Sequence, residues 1–524
     1  MKVKTVGLLG CLFVASVFLA LGCKGKSVGT ADALADPVTC ALLVANRLNE
    51  QSEDLLSEVA VAFAEAGDCT RAFRMVNSFK EREWLRSQPY LVSNKAIALG
   101  RLSVVCTHSG NLDVAEKAYA TALQVLARNK SEKHPLWDAY HSLALNMAEL
   151  GNVGEAIRLI AEHSKLFAQE EPDSIRTRHV ESWIEVAKKL AAIGNKADAI
   201  VVAQKADRAT TEIEEISLRA SALVKAAELH FALGETKQGV DLLNRALALA
   251  SRPGERAYRD EEKQNVANVF LRAGDFKSAE RVIALIELEY KRSWAWRDFA
   301  LQAVKNGNIE LALQVSNRIS GFDDKASALK AIVKRYAERG EHQKATEICE
   351  QVKGFGNRAD ARLIVAQGFV RASDPANAKK FLELALDDLA KERSGSNYSL
   401  WSRHLRASLL LPSIGEKSRA IAIIKDIGQR EGSSGALEEA GLNAVAEGDY
   451  DLAIEISTLI TKDTYFEDAG TIPKELHQAR ILVDALLKHA EAKRKGLDRD
   501  KNVQQAVLKT LDGIVPKLVE IFLR

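Results

Sequence analysis

The 524-residue sequence predicts an all-α solenoid of about eleven helix-turn-helix repeats with helical caps, and three observations support this prediction. Only 9 prolines occur, whereas an average usage of roughly 5% would give about 26. A Gly followed by Asp, Asn or Glu recurs at intervals of 33 to 43 residues. Small residues stand at fixed distances on both sides of that pair. Together these features indicate long helices separated by regular turns.

The recurrent pair predicts where the first helix of each repeat, helix A, ends and the second, helix B, begins. The first residue of the pair, the anchor, would take the left-handed conformation that follows a helix. The next residue, Asp, Asn or Glu, would cap helix B or complement its dipole. The anchors are Gly67, Gly110, Gly151, Gly194, Gly234, Gly274, Gly307, Gly340, Ser373, Gly415 and Gly448.

Small residues flank every anchor and predict a close crossing of the two antiparallel helices. The position five residues after the anchor holds Ala in ten copies and Gly239 in the other. The position seven residues before it holds Ala, Ser or Gly in ten copies and Val333 in the other. Pro412 lies three residues before its anchor and should bend or fray its helix A.

This pattern resembles the tetratricopeptide (TPR) repeat, which combines a small residue on helix A, a Gly-Asp/Asn turn and an Ala on helix B. Trp183 and Trp296 stand eleven residues before their anchors, at the consensus Trp position of that family. The resemblance covers residues 55–462, although several copies exceed the family's length of about 34 residues. It implies a right-handed superhelix whose A helices line a concave groove that binds a protein or peptide.

The N-terminal segment predicts that the protein is located in the cell envelope. Residues 1–22 combine Lys2 and Lys4 with an apolar run, as a signal peptide does. The segment Ala20-Leu21-Gly22-Cys23 resembles the lipobox of bacterial lipoproteins, with Ala20 where that family prefers Leu. The resemblance implies a lipid on Cys23, which would attach the chain to the membrane; a non-lipidated signal peptide or an uncleaved anchor is the alternative. It favours the periplasmic face of the outer membrane and leaves the cell surface open.

Four segments follow from these patterns. Residues 1–22 form the lipoprotein signal peptide, and residues 23–37 form the lipid attachment site and a flexible tether. Residues 38–470 form the TPR-like solenoid, and residues 471–524 form C-terminal capping helices.

Cysteine positions suggest one disulfide in the oxidising compartment that a signal peptide implies. Cys40 and Cys69 each begin a helix that points in the same direction, so we expect a possible bridge between them. Cys106 and Cys349 fall at core positions of helices and are expected to be buried thiols.

Composition and motifs disfavour catalysis and nucleic-acid binding. Lys and Arg number 73 against 71 Asp and Glu, without the basic excess that nucleic-acid binding requires. The ten His residues show no His-Glu-x-x-His spacing. We therefore predict no catalytic residues, no metal and no cofactor.

The groove positions of the TPR family lie thirteen, ten, six, three and two residues before each anchor. In the first five repeats they carry an acidic excess, including Glu149, Glu181 and Glu228. In repeats six to nine they carry a basic excess, and such a groove would orient an extended, charged partner. Ordinary solvated helix faces are the alternative. The predicted partner-binding residues are Gln264, Asn268, Arg272, Trp294, Arg297, Lys305, Lys330, Lys334 and Arg371.

The function expected from these features is a non-catalytic, membrane-anchored TPR scaffold that binds a protein or peptide partner in the bacterial cell envelope. An envelope enzyme, or an accessory subunit with an unrecognised site, is the first alternative. A helical-repeat RNA binder is the least favoured one, given the signal peptide and the balanced charge.

Overall fold

A computed structural model describes residues 57, 60–61, 63–65, 67–77, 90–128, 136–167, 173–252, 254, 256–392, 397–428, 434–447, 449–460, 464–466, 470–472, 478 and 481. The chain forms two compact units, Met1–Leu288 (unit 1) and Glu289–Arg524 (unit 2). Within these described ranges nearly all regular structure is helical, which confirms the all-α fold class.

Unit 1 is a succession of antiparallel helices in which even numbers denote helix A and odd numbers denote helix B. Its helices are α1 (Cys69–Asn77), α2 (Tyr90–His108), α3 (Leu112–Arg128), α4 (Leu136–Glu149), α5 (Val153–Phe167), α6 (Asp173–Ala192), α7 (Lys196–Ala209), α8 (Ile216–Ala232), α9 (Thr236–Ala250), α10 (Arg256–Arg272) and α11 (Phe276–Ile283). A short 3-10 turn, Thr210–Glu212, follows α7.

Unit 2 continues the same alternation and ends in a small hairpin. Its helices are α12 (Glu289–Lys305), α13 (Ile309–Ser316), α14 (Phe322–Glu338), α15 (His342–Cys349), α16 (Phe355–Arg371), α17 (Pro375–Lys391), α18 (Asn397–Leu410), α19 (Lys417–Gly428), α20 (Ser434–Glu447) and α21 (Tyr450–Leu459). The strands β1 (Thr464–Phe466) and β2 (Gly470–Ile472) pair antiparallel, with Tyr465 opposite Thr471. As predicted, Pro412 interrupts its repeat: α18 ends at Leu410 and the 3-10 turn Pro412–Ile414 follows.

The predicted anchors form the turns between helix A and helix B. The anchor glycines that the structure describes have φ between 73° and 97°, and Ser373 has φ 57°. At all eleven turns the N–H of the residue after the anchor donates to the carbonyl four residues before the anchor, at 2.8–2.9 Å. This bond satisfies a carbonyl that the helix end would otherwise leave without a partner.

The residue after the anchor caps helix B where its side chain is short. Asp275, Asp374 and Asp449 each accept a hydrogen bond from the N–H three residues further on, at 3.0–3.1 Å. The side chains of Glu235 and Glu341 make no such bond. Side-chain capping is therefore confirmed for these Asp residues, whereas at the two Glu residues the other predicted role, complementing the dipole of helix B, stays a prediction.

The small flanking residues lie where the helices of a repeat cross. Ala144, Ala187 and Ala300 on helix A and Ala279 on helix B have no exposed surface. At Gly239 a Cβ atom would lie 2.9 Å from the Cε2 atom of Phe231, so no larger residue fits without displacement. Consecutive A helices also contact one another within each unit. The core of each unit thus lies between helices A and B and the following helix A.

The disulfide differs from the one predicted. Cys69 at the start of α1 is bonded to Cys106 near the end of α2, with 5.8 Å between the Cα atoms. The Cys40–Cys69 prediction is wrong for Cys69, and Cys40 lies outside the described residues. Because α1 and α2 are antiparallel neighbours, the start of α1 lies beside the end of α2. Cysteines at these two helix ends are therefore closer to each other than cysteines on helices that are not direct neighbours. Cys106 is not a free thiol, whereas Cys349 is free and buried as expected.

Ser373 provides a test of the turn geometry. Glycine adopts positive φ without the penalty of roughly 1 kcal/mol that a Cβ atom brings. We expect Ser373→Gly to raise the opening free energy of α16 and α17 by about 1 kcal/mol, measured by amide hydrogen exchange. Gly340→Ser is the matched reverse change and should lower the opening free energy of α14 and α15 by about as much. A Cβ atom at Gly340 would meet no heavy atom within 4 Å, so the positive φ alone causes this loss. Unchanged protection in both variants would contradict this account.

Candidate functional site

In unit 1 the predicted acidic groove residues form ion pairs between consecutive A helices. Glu149 on α4 meets Lys189 on α6, with 2.7 Å between carboxylate and ammonium. The pairs that repeat this arrangement further along the unit are Glu181–Lys225 and Glu228–Arg272. Lys189 and Lys225 stand outside the five positions used for the prediction. These three carboxylates are therefore paired with cations of the next helix A, two of which the count of groove positions left out, and the acidic excess itself stays a prediction.

Three of the predicted cationic contact residues are also engaged within the chain. Arg272 pairs with Glu228 at 3.2 Å. Arg297 pairs with Asp324 on the next helix A at 2.9 Å, and Lys330 pairs with Asp360 at 3.2 Å. These three cations are therefore paired with carboxylates of adjacent A helices within the chain. Gln264 and Asn268 are half-buried on α10.

The remaining predicted contact residues are exposed on the A helices of unit 2. Trp294 is 40% exposed and packs edge-on against Tyr290, with 5.1 Å between ring centroids. Lys305, Lys334 and Arg371 are exposed, and within the described ranges none of them forms an ion pair or a hydrogen bond through its side chain. These four side chains are therefore available to a partner.

A group of cations in unit 2 shares one buried carboxylate. The side chain of Asp360 on α16 is 9% exposed and accepts from Lys330 Nζ at 3.2 Å. It also accepts from Arg403 Nε at 3.3 Å and from Arg406 Nη2 at 2.6 Å, both on α18. Arg403 and Arg406 stand twelve and nine residues before their anchor, so the family positions did not include them. Three cations on one carboxylate leave a local excess of positive charge.

Exposed aromatic rings mark the beginning of successive A helices in unit 2. Tyr290, Phe322 and Phe355 are each the first or second residue of their helix and are 49%, 51% and 42% exposed. Sequence reasoning missed them because the family positions begin further along helix A. The signal was present, since an aromatic residue stands seventeen or eighteen residues before three successive anchors.

A histidine cluster lies beneath an open cavity in unit 1. His163 on α5 and His179 on α6 are buried, with 3.1 Å between Nδ1 and Nε2. The Trp137 ring lies 4.5 Å and 5.1 Å from their centroids. Burial and the neighbouring His179 lower the pKa of His163 to about 3, and burial lowers the pKa of His179 to about 4. Above the cluster, Trp137 and His141 line a cavity of about 430 Å³.

Several predicted features fall outside the described residues. These are the signal peptide, Cys23, the tether and nearly all of the C-terminal caps. Among the residues that the structure does describe, no group of three His, Cys, Asp or Glu side chains is placed to hold a metal ion. In the same ranges no helix combines the length and apolarity required to cross a membrane.

No protein-family model and no curated protein matches the chain. Among solved structures, it is similar to a putative kinesin light chain from Podosopora anserina with nearly identical TPR-like repeats, at 19% identity over 34% of this chain and 92% of that chain, with a TM-score of 0.24. It is similar to a Rap protein complexed with competence and sporulation factor, at 14% identity over 65% and 99%, with a TM-score of 0.24. It is also similar to Naa15/Naa10 bound to HypK-THB, at 14% identity over 96% and 80%, with a TM-score of 0.25. TM-scores of this size do not establish a shared overall architecture.

The histidine cluster predicts acid sensitivity in unit 1. Both folded-state pKa values lie below the ordinary value near 6.5, so the unfolded chain binds more protons between pH 6.5 and 4. The free energy of unfolding should therefore decrease as the pH is lowered from 6.5 to 4, by up to about 1.4 kcal/mol per pH unit for each histidine. Hydrogen exchange of α6 amides at pH 7 and pH 5 measures this loss. His179→Gln should reduce the loss of protection between pH 7 and pH 5 by about half. His108→Gln, which changes an exposed histidine, should leave that loss unchanged. Equal losses in both variants would exclude the cluster as the cause.

Proposed function

We propose that this chain is a lipid-anchored, non-catalytic scaffold of the bacterial cell envelope that docks a protein partner on the A helices of unit 2. The observation that carries the proposal is the set of exposed side chains on those helices, Trp294, Lys305, Lys334 and Arg371. Their neighbours Arg297 and Lys330 serve contacts between repeats, whereas these four serve none in the described part of the chain.

The composition of this surface suits protein recognition. Trp and Arg contribute disproportionately to binding free energy at protein interfaces, because they combine a large contact area with directional polar groups. Trp294 is held by Tyr290, so little side-chain freedom remains to be lost on binding. The cations would accelerate encounter with a partner of opposite charge.

The disulfide supports the envelope location. A Cys69–Cys106 bond between two consecutive helices persists in an oxidising compartment and is rare in the reducing cytosol. This fits the signal peptide that the sequence predicts, and Cys23 remains the proposed point of lipid attachment. The proposal therefore joins a membrane anchor, a tether and a docking surface in one chain.

Charge reversal on one face tests the docking surface. The triple variant Lys305→Glu, Lys334→Glu, Arg371→Glu changes only exposed side chains without an ion pair in the described ranges. In affinity capture from solubilised envelopes with quantitative mass spectrometry, it should recover at least about tenfold less of a reproducible partner.

The matched control places the same charge change on B helices, as Lys277→Glu, Lys380→Glu, Lys417→Glu at exposed positions. Recovery by the control should equal that of the unaltered chain. Equal recovery by both triple variants would place binding elsewhere, and recovery lost only in the control would assign it to the B helices.

A further inference from the structure

An open cavity of about 800 Å³ lies at the beginning of three consecutive A helices of unit 2. We call it the edge cavity; its lining includes Phe322, Phe355, Asn357, Lys391, Glu392 and Arg403. The volume is within the range of pockets that enclose small ligands or a few side chains of a peptide.

Two partly exposed phenyl rings form the apolar part of the edge cavity. Phe322 and Phe355 are the first residues of α14 and α16 and lie one repeat apart. Gly354 supports this arrangement: its φ is 77°, and a Cβ atom there would lie 2.7 Å from the Cζ atom of Phe322. The ring of Phe322 is therefore packed on the next repeat while half of its surface stays open to solvent. Covering such a ring removes apolar surface from water and therefore favours binding.

Positive charge borders the edge cavity on the side of α18. Arg403 lines the cavity and, with Lys330 and Arg406, surrounds the buried carboxylate of Asp360. Lys334 stands one helical turn after Lys330 and forms no ion pair in the described ranges. We call Lys330, Lys334, Arg403 and Arg406 the cationic cluster. Three of these cations share the carboxylate of Asp360, and the fourth, Lys334, has no ion pair in the described ranges, so the cluster attracts anionic groups.

Two carboxylates that line the edge cavity are already engaged. Asp323 accepts from Asn357 Nδ2 at 2.9 Å, and Glu392 accepts from the backbone N–H of Gly356. A Cβ atom on Gly356 would lie 2.6 Å from Glu392 Oε2 and 2.8 Å from Arg403 Nη1, so Glu392 lies beside Arg403. The positive charge that can attract an anionic group therefore lies at Arg406 and Lys334. A ligand that places its carboxylates near the cationic cluster and its apolar groups between the two phenyl rings would be complementary to both.

We propose that the edge cavity and the cationic cluster together bind an acidic segment of the protein partner that carries apolar side chains beside its carboxylates. This inference rests on the proposed function, because it assigns the partner class to the A helices of unit 2. Phe322 and Lys334 are twelve residues apart on α14, or about 18 Å along the helix. An extended segment of about six residues spans that distance. Apolar side chains lie between Phe322 and Phe355, and carboxylates meet Arg406 and Lys334.

Binding of defined peptides to the purified chain tests this inference. The probe is a fluorescein-labelled twelve-residue peptide of alternating Glu and Leu, followed by fluorescence anisotropy. The double variants Phe322→Ala, Phe355→Ala and Lys334→Gln, Arg406→Gln should each weaken its binding by about tenfold or more. Only the charge variant should also reduce the dependence of binding on salt. Circular dichroism confirms that each variant is folded.

Matched controls carry equal changes elsewhere. Tyr258→Ala removes a ring that is 58% exposed in unit 1, and Lys380→Gln, Lys417→Gln removes two exposed cations from B helices. Both should leave peptide binding unchanged. A Lys-Leu peptide should bind at least about tenfold more weakly than the Glu-Leu peptide, and so should a Glu-Gly peptide.

Three results would overturn the inference: equal binding of the Lys-Leu peptide, equal binding of the Glu-Gly peptide, or Glu-Leu binding that neither double variant weakens. Preferential binding to phosphatidylglycerol vesicles over the Glu-Leu peptide would assign the surface to a membrane and also overturn it. These outcomes are distinct from a failure of the proposed function. If Phe322→Ala, Phe355→Ala still captures the envelope partner that the Lys305, Lys334, Arg371 reversal loses, docking on the A helices stands and the edge cavity is excluded.

Discussion

The left-handed turn between helix A and helix B is the constraint on which every repeat depends. It reverses the chain in about two residues, and a hydrogen bond across it satisfies a carbonyl near the end of helix A. Small residues on both sides then let the helices approach closely. Ser373 adopts the same conformation despite its Cβ atom, so the packing of the repeat overrides the preference of the residue.

Features set by local spacing could be predicted from the sequence. The anchors and the buried small residues follow from a pattern that recurs along the chain, and Trp183 and Trp296, 8% and 6% exposed, occupy the family's Trp position in two copies. The Cys69–Cys106 bond could not be predicted in the same way. Its formation depends on which helices become neighbours, and consecutive antiparallel helices bring the start of one beside the end of the next.

The charged face shows why a count of groove positions was insufficient. Counting by family position treated Glu181 and Lys330 as independent surface charges, yet each is paired with a residue of the following helix A. The exposed pair of Glu181 contributes little stability by itself, whereas Lys330 meets a buried carboxylate; both pairs determine which charges remain available. Of the predicted cations in unit 2, Lys305, Lys334 and Arg371 remain without an ion pair in the described ranges. The exposed rings of Phe322 and Phe355 add apolar surface to the A helices of unit 2, and neither residue stands at a groove position of the TPR family.

Different sets of residues along the chain have different roles. Turns and small residues build the repeats, ion pairs connect adjacent A helices, and the side chains that neither task requires form the proposed docking surface. Photo-cross-linking in intact cells tests this division most directly, with a photoreactive residue placed in turn at positions 294, 334 and 371 on A helices and at 380 and 417 on B helices. The account predicts that the three A-helix positions cross-link to the same envelope protein and that the B-helix positions do not. Cross-links to that protein from positions 380 and 417, with none from the A helices, would contradict it.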